Sequence, residues 1–290
     1  DINQIRSDRG GTVTGRFSYS NPNLQQIPAR NKDLGPMIRS LFIPEDGCVW
    51  GCFDYNQQEP RLVVHFAATT AGIKEDASVK EIVDNYSNND IDFHKTVADM
   101  AGISRLQAKT INLGLFYGMG KAKLQAELGL STKQEAEELF NQYHERVPFV
   151  RDLMNETSRW ASREGEIRTL LGRGCRFNKW EPAQFGMHTP MTWEDAMKKY
   201  GENRIRRAFT YKALNKLIQG SAADMTKKAM LDLYKEGIVA HIQIHDELDI
   251  SVESDKKAKR IIEIMETAVD LEVPNKVDYE SGKTWGNIYD

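Results

Sequence analysis

The sequence is short of cysteine, of long apolar runs and of any excess of one charge, and each shortage excludes something. Three cysteines in 290 residues (Cys48, Cys52 and Cys175) are too few for a disulfide framework and fit a reducing, cytoplasmic compartment. Cys48 and Cys52 lack the further ligands of a zinc site. No run of about 18 apolar residues and no signal-peptide pattern is present, so neither a membrane nor export is indicated. With 39 Lys and Arg against 42 Asp and Glu, the formal charge is only −3. Nucleic-acid binding must therefore be argued from local clusters. Repeats, low-complexity segments and a GxxxxGK[ST] phosphate loop are also absent. The chain opens on Asp1 rather than methionine, which points to a fragment or a processed product.

What is present reads as an α+β chain. Residues 1–36, rich in Gly, Ser, Asn, Pro and Arg, predict irregular structure. VWGCFDY (49–55) predicts a short buried strand, followed by a helix with Pro60 in its first turn. Residues 92–160 predict helices, one opening at Ser104 and another at Ser131 or Thr132. Gly and Pro break 163–200 into an excursion, 204–236 reads as one long helix, and 255–270 as an amphipathic helix. In between, AHIQIHDELDISV (240–252) alternates with period two, and Asp246 takes a slot where an apolar residue is due.

Five segments carry chemistry. A carboxylate at Asp246 is either a solvated hairpin tip or half of a cation site that needs a second carboxylate. Asp54 in FDYNQQEPR ends the first strand, where it either caps the next helix or faces a cleft. In RLQAKTINLGLFYG, Arg105, Lys109, Leu113 and Tyr117 recur every fourth residue and form one helical stripe, opposite Leu106, Ile111 and Leu115. Two cations, an apolar group and a tyrosine suit a triphosphate with its base, although two cations alone fit a solvated face equally well. TGRFSYSNPNLQQIPAR holds Arg16, Asn23, Gln25, Gln26 and Arg30, side chains suited to a nucleic-acid backbone and minor groove, or to a plain polar loop. Asn215 and Gln219 place two amides on one helix face beside Gly220 to Ala223.

Together these segments resemble DNA polymerase family A, the bacterial DNA polymerase I type and its phage relatives. TGRFSYSNPNLQQIPAR is similar to TGRLSS-DPNLQNIP-R, FDYNQQEPR to motif A (DYSQIELR) and RLQAKTINLGLFYG to motif B (R-x3-K-x3-F-G-x2-YG). QGSAADMTKKAM resembles QGTAADIIK-AM, QIHDELDISV motif C (VHDE), and GKTWGNIYD the closing GxxW. The resemblance implies a right-hand architecture: palm from 1–66 and 215–290, helical fingers at 67–214. The thumb and any exonuclease region would lie upstream or on another chain. It implies template-directed addition of dNTPs to a primer 3′ hydroxyl on primer–template DNA, with two Mg²⁺ ions. Asp54, Asp246 and Tyr55 would be metal-binding, Glu247 would support the site, and Lys109 would donate a proton to the leaving group. Arg105, Lys109, His94 (in DFHKT), Leu113, Tyr117, Glu59 and Gln57 would meet the nucleotide, with Glu59 and Tyr117 crowding the sugar 2′ position. Arg16, Asn23, Gln25, Arg30, Asn215, Gln219 and His245 would follow the DNA.

Some positions depart from the pattern. Leu113 replaces the usual aromatic of motif B, which predicts altered nucleotide handling. Gln58-Glu59-Pro60 replaces Ile-Glu-Leu, Tyr211 stands where arginine is common, and the stretch from His94 to Arg105 is short. Segment 175–205 has no counterpart in the pattern. Two other classes compete: a palm–fingers piece that binds DNA without catalysis, and a metal-dependent nuclease. The nuclease would need more clustered carboxylates than Asp54, Asp246 and Glu247.

Overall fold

The computed structural model describes residues 1–4, 10–28, 31–88, 91–116, 121–184, 186 and 188–289. They divide into two compact units, one of Asp1–Leu62 with Gln219–Asp290 and one of Val63–Ile218. The fold class is α+β, as the residue pattern predicts.

The first unit holds β1 (Ile2–Asn3), β2 (Ser18–Tyr19), α1 (Leu34–Arg39) and β3 (Val49–Tyr55). Helix α2 (Gln58–Thr69) begins in this unit and continues into the second. Its Pro60 sits in the first turn, where backbone N–H groups have no helical acceptor. The second unit is mostly helical: α3 (Ala77–Asn88), α4 (Phe93–Ala101), α5 (Arg105–Phe116), α6 (Lys121–Leu128), α7 (Lys133–Arg146) and α8 (Pro148–Glu164). Ser104 and Gln107 cap α5 reciprocally, each side chain accepting the other's backbone N–H. Thr132 rather than Ser131 is the N-cap of α7, its Oγ1 accepting from Glu135 N at 3.1 Å.

The excursion after α8 is more regular than the sequence suggests. It contains the hairpin β4 (Glu166–Arg168) and β5 (Gly174–Arg176), then β6 (Trp180–Pro182), α9 (Trp193–Tyr200) and β7 (Ile205–Arg207), which pairs with β6. The predicted long helix from 204 is corrected: its first residues form β7 and a 3₁₀ turn, and α10 runs Ala213–Lys235. Trp180 explains this, because Arg207 lies over its ring at 4.6 Å and donates to the Phe177 carbonyl. These contacts outweigh the helical propensity of an arginine-rich run. Leu106, expected to pack, is 70% exposed, whereas Ile111 is buried. Leu115 lies outside the described side chains.

The chain returns to the first unit through β8 (Ile242–Ile244), β9 (Glu247–Val252), α11 (Asp255–Glu266) and β10 (Val277–Gly282). The sheet is antiparallel, in the order β10-β3-β9-β8. Residues 240–252 are therefore two strands, and the two-residue loop His245–Asp246 breaks the period: Ile242 and Ile244 pair with Asp249 and Glu247 and share their face, while Leu248, Ile250 and Val252 take the other. A positive φ of 56° at His245 is what so tight a reversal requires. Phe53, Leu248, Ile250 and Val252 are buried on one sheet face, where Tyr55 donates from its hydroxyl to Met265 O of α11 at 2.6 Å. The other face has an apolar end, where Trp50, Cys52, Ile242 and Trp285 cluster. Trp285 also meets Phe42 edge-on at 5.3 Å, with the Arg39 guanidinium 4.2 Å above its ring.

Gly286 lets the C-terminal turn press against α1. A Cβ there would lie 2.3 Å from Pro36 O and 2.7 Å from Ser40 N, both backbone atoms. Gly286→Ala is expected to destabilise the protein by about 1–3 kcal/mol, read as a lower urea midpoint at unchanged m-value.

Candidate active site

The register of the sheet concentrates acids on the face that carries Trp50 and Cys52. Asp54 lies opposite Glu247 on β9 and Asp278 on β10, and Cys52 lies opposite Asp249 and Glu280. Side chains alternate along a strand, so all of these share one face. Asp246 is next to Glu247, in the hairpin loop. The sequence motifs single out Asp54, Asp246 and Glu247; Asp249, Asp278 and Glu280 carry no such signal, since only strand pairing brings them together.

The carboxylates raise one another's pKa. Asp54 is pushed up to about 7, first by desolvation on the sheet side and then by Asp246, Asp278 and Glu280. Glu247 is pushed up to about 8 by burial and by the charges of Asp249 and Asp54. Burial also raises Asp246, against the nearby Arg16 guanidinium, which favours its charge. Asp249 is raised to about 6 by burial, although Cys52 Sγ at 2.7 Å and Trp50 Nε1 at 3.1 Å both donate to its Oδ1. Arg39, buried under this face, favours the charged forms of both Glu247 and Asp249. Cys52 Sγ and the Glu247 and Asp249 carboxylates offer ligand atoms within 4.8 Å of one another.

This donor set fits divalent cations. Hard carboxylate oxygens suit Mg²⁺, and a bound cation would relieve the repulsion that raises the acids. Asp54 and Asp246 stand nearest the open end of the face, and the Cys52–Asp249 pair lies deeper. The Tyr55 side chain is committed to the opposite face, so its main-chain carbonyl is what it can offer a cation.

Arg16 and Glu59 form an ion pair at 2.6 Å, with both side chains mostly buried, and both bear on the Asp246 carboxyl. Gln57 begins the turn into α2 with a positive φ of 54°. Asn23 accepts from Gln25 N, and Gln25 Nε2 donates to Gln243 O at 3.3 Å, which ties the N-terminal segment to β8 beside His245. Asn215 and Gln219 lie four residues apart on α10, both half-buried. Arg30 and Tyr117, and the side chain of Leu113, lie outside the described residues.

The second unit holds its own cluster. Asp92 caps α4 and binds Arg105 through Nε at 2.7 Å. His94 is lowered to about 4 by burial and by Lys109 and Arg105, against the pull of Asp92. Its Nδ1 lies 3.1 Å from Asn112 Nδ2, and Asn112 Oδ1 accepts from the Tyr143 hydroxyl. That chain assigns the Asn112 amide as donor, leaving His94 neutral with its proton on Nε2. Asn112, fully buried three residues beyond Lys109, has no sequence signal that would distinguish it from a core amide.

A model of DNA polymerase family A matches residues 4–287. The chain belongs to DNA polymerase family A. It is 36% identical to a DNA-directed DNA polymerase of Pseudomonas phage M6, over 99% of this chain and 46% of that protein. DNA polymerase I of Caldicellulosiruptor bescii is 34% identical over 95% of this chain and 31% of its own. Among solved structures, the POL domain of Pol1 from M. smegmatis, in complex with DNA primer-template and dNTP, superposes with a TM-score of 0.77. That match has 27% identity and covers all of this chain and 48% of the other. The chain thus spans about half the length of the phage relative, or less than half for the bacterial one. No helix among the described residues of this family A chain is long and apolar enough to cross a membrane.

The raised acids set a pH dependence. An unfolded chain would titrate Asp54 and Glu247 near about 4, whereas the folded chain holds their protons to about 7 and about 8. In between, the folded state binds more protons, so these groups contribute falling stability as pH rises through that window. In chelator, Tm is expected to fall from about pH 5 to about pH 8. Mg²⁺ should raise Tm more at the upper pH, and Asp54→Asn should flatten the slope. A Tm gain from Mg²⁺ that is equal at both pH values would contradict this account.

Proposed function

We propose that this chain is the palm and fingers of a DNA polymerase, and that it extends a primer on a template by nucleotidyl transfer. The observation that carries the reading is the meeting of Asp54 and Asp246, from sequence segments far apart, on one acidic edge of the sheet. In this reading the first unit is palm and the second is fingers, with boundaries near 66 and 215.

Two divalent ions held by Asp54, Asp246 and the Tyr55 carbonyl would supply Lewis-acid stabilisation of the attacking and leaving oxygens. Glu247 and Asp249 keep the acidic edge rigid, Asp249 through Trp50 and Cys52. Arg105, Lys109 and neutral His94, donating from Nε2, hold the triphosphate of the incoming dNTP. Lys109 gives its proton to the departing pyrophosphate. Glu59 and Tyr117 exclude a 2′ hydroxyl, and Gln57 lines the nucleotide's approach. Arg16, Asn23, Gln25, Arg30, Asn215, Gln219 and His245 follow the minor groove, whose acceptors are shared by all base pairs. Arg16 leaves Glu59 to do so, since one guanidinium fork cannot serve both fully. The setting is a bacterial or phage-infected cell, where template and dNTPs are present.

The extra acids Asp278 and Glu280 meet the condition set above for a metal-dependent nuclease, so the assay must register shortening as well as extension. With Mg²⁺, a labelled primer–template and four dNTPs, extension is expected. Asp54→Ala and Asp246→Ala should each reduce it by at least about 10³-fold. Primer shortening would support the nuclease, and binding without extension would support a DNA-binding piece that works within a larger polymerase.

Leu113 lies on the α5 stripe where the family carries an aromatic ring. Leu113→Phe is expected to change the ratio of dideoxynucleotide to deoxynucleotide incorporation at least about tenfold. An unchanged ratio in single-nucleotide competition would refute a role for this position in sugar discrimination.

A further inference from the structure

The stretch 163–216, which contains the segment 175–205 without a counterpart in the family pattern, has a chemistry of its own. Residues 163–216 hold twelve Lys and Arg against six Asp and Glu, in a chain whose total is −3. The acids there are largely spoken for: Glu181 pairs with Arg206, Glu166 with Arg168, Glu164 with Arg163, and Asp195 accepts from the Thr192 hydroxyl. Lys198, Lys199 and Arg204 form no ion pair with any described residue. Between β6, the end of α9 and the start of β7 lies an open cavity of about 460 Å³, lined by Gln184, Lys199, Tyr200, Asn203 and Arg204. One aromatic ring, two cations and two amides are the groups that hold a base, its phosphates and its edges.

A second observation in the same segment points the same way. Phe209 has a φ of 64°, a conformation that costs a bulky side chain strain. Its ring is nevertheless exposed, as are those of Tyr211 and Trp193. Lys212 Nζ lies 4.9 Å from the Phe209 ring and 5.5 Å from that of Tyr211. A strained position that keeps part of the Phe209 ring open, with a cation close to it and to the Tyr211 ring, is the arrangement of a stacking platform.

We propose that the segment 163–216, through the 184–204 cavity and the 209–212 platform, binds single-stranded DNA. A duplex hides the faces of its bases, so the open rings favour an unpaired strand over a helix. A free triphosphate would use the cations and leave the rings idle. The inference rests on the polymerase reading only in naming that strand as unpaired template; the binding itself is measured without catalysis.

The test is fluorescence anisotropy of the full chain with a labelled oligothymidylate of about 12 nucleotides, titrated at several salt concentrations. The double variant K199E/R204E is expected to bind at least tenfold more weakly, with the salt slope reduced by about 1.4 for two lost phosphate contacts. Tyr200→Ala should weaken binding about fivefold or more with the slope unchanged. K256E/K259E, on exposed positions of α11, makes the same change in net charge and should stay within about twofold of the parent. Equal losses in the two charge-reversed pairs, no loss in either, or displacement of the oligonucleotide by dNTP at lower concentration than by unlabelled strand would each overturn the proposal. Circular dichroism confirms that each variant is folded. Primer extension by the parent chain is scored separately: its failure would count against the polymerase reading and leave the binding result standing.

Discussion

Charge repulsion across one face of a four-stranded sheet is the constraint on which the first unit depends. Asp54, Asp278, Glu247, Glu280 and Asp249 are gathered there by antiparallel register alone, and Asp246 joins them from the hairpin loop. Burying like charges is unfavourable unless something offsets them. The surroundings supply part of that offset. Arg39 lies beneath, while Trp50 and Cys52 both donate to Asp249. The remainder is left at the open edge, where Asp54, Asp246 and Glu247 all stay above their ordinary pKa. A divalent cation held by these carboxylates would relieve that repulsion.

Much of the surrounding structure serves to hold that face still. Trp285, near the C-terminus, stacks on Trp50 at 6.0 Å and takes Arg39 over its ring, so the end of the chain helps to position the acids. Two backbone strains mark the same edge, at Gln57 after β3 and at His245 before Asp246. Strain of this kind persists only where surrounding contacts over-determine it. The sheet supplies those contacts on both sides, and it thereby fixes where Asp54 and Asp246 end.

In the second unit a different economy operates. His94, Lys109 and Arg105 form a cationic surface whose histidine is kept neutral by burial and by the two flanking cations. Asn112 and Tyr143 fix its tautomer from below. A neutral histidine among these cations offers a donor without adding to the repulsion between them. Farther along the chain, the segment 163–216 gathers positive charge around exposed rings, so the small net charge of the whole conceals two regions of opposite character.

The sequence by itself determined the class of the molecule and the identity of its main chemical groups. The motif order, the strand carrying Asp54, the cap at Ser104 and a cap at Ser131 or Thr132 are local features, and local features can be read from spacing. The tertiary structure decided which groups meet. Asp249, Asp278 and Glu280 look like ordinary polar strand positions until register places them beside Asp54, and Arg39 and Asn112 have no periodic signal. Leu106 faces solvent although its spacing suits packing, and the arginines after 204 leave the helix because Trp180 and the Phe177 carbonyl hold Arg207. In each case the deciding energy comes from residues distant in the chain, and a one-dimensional pattern carries no record of them.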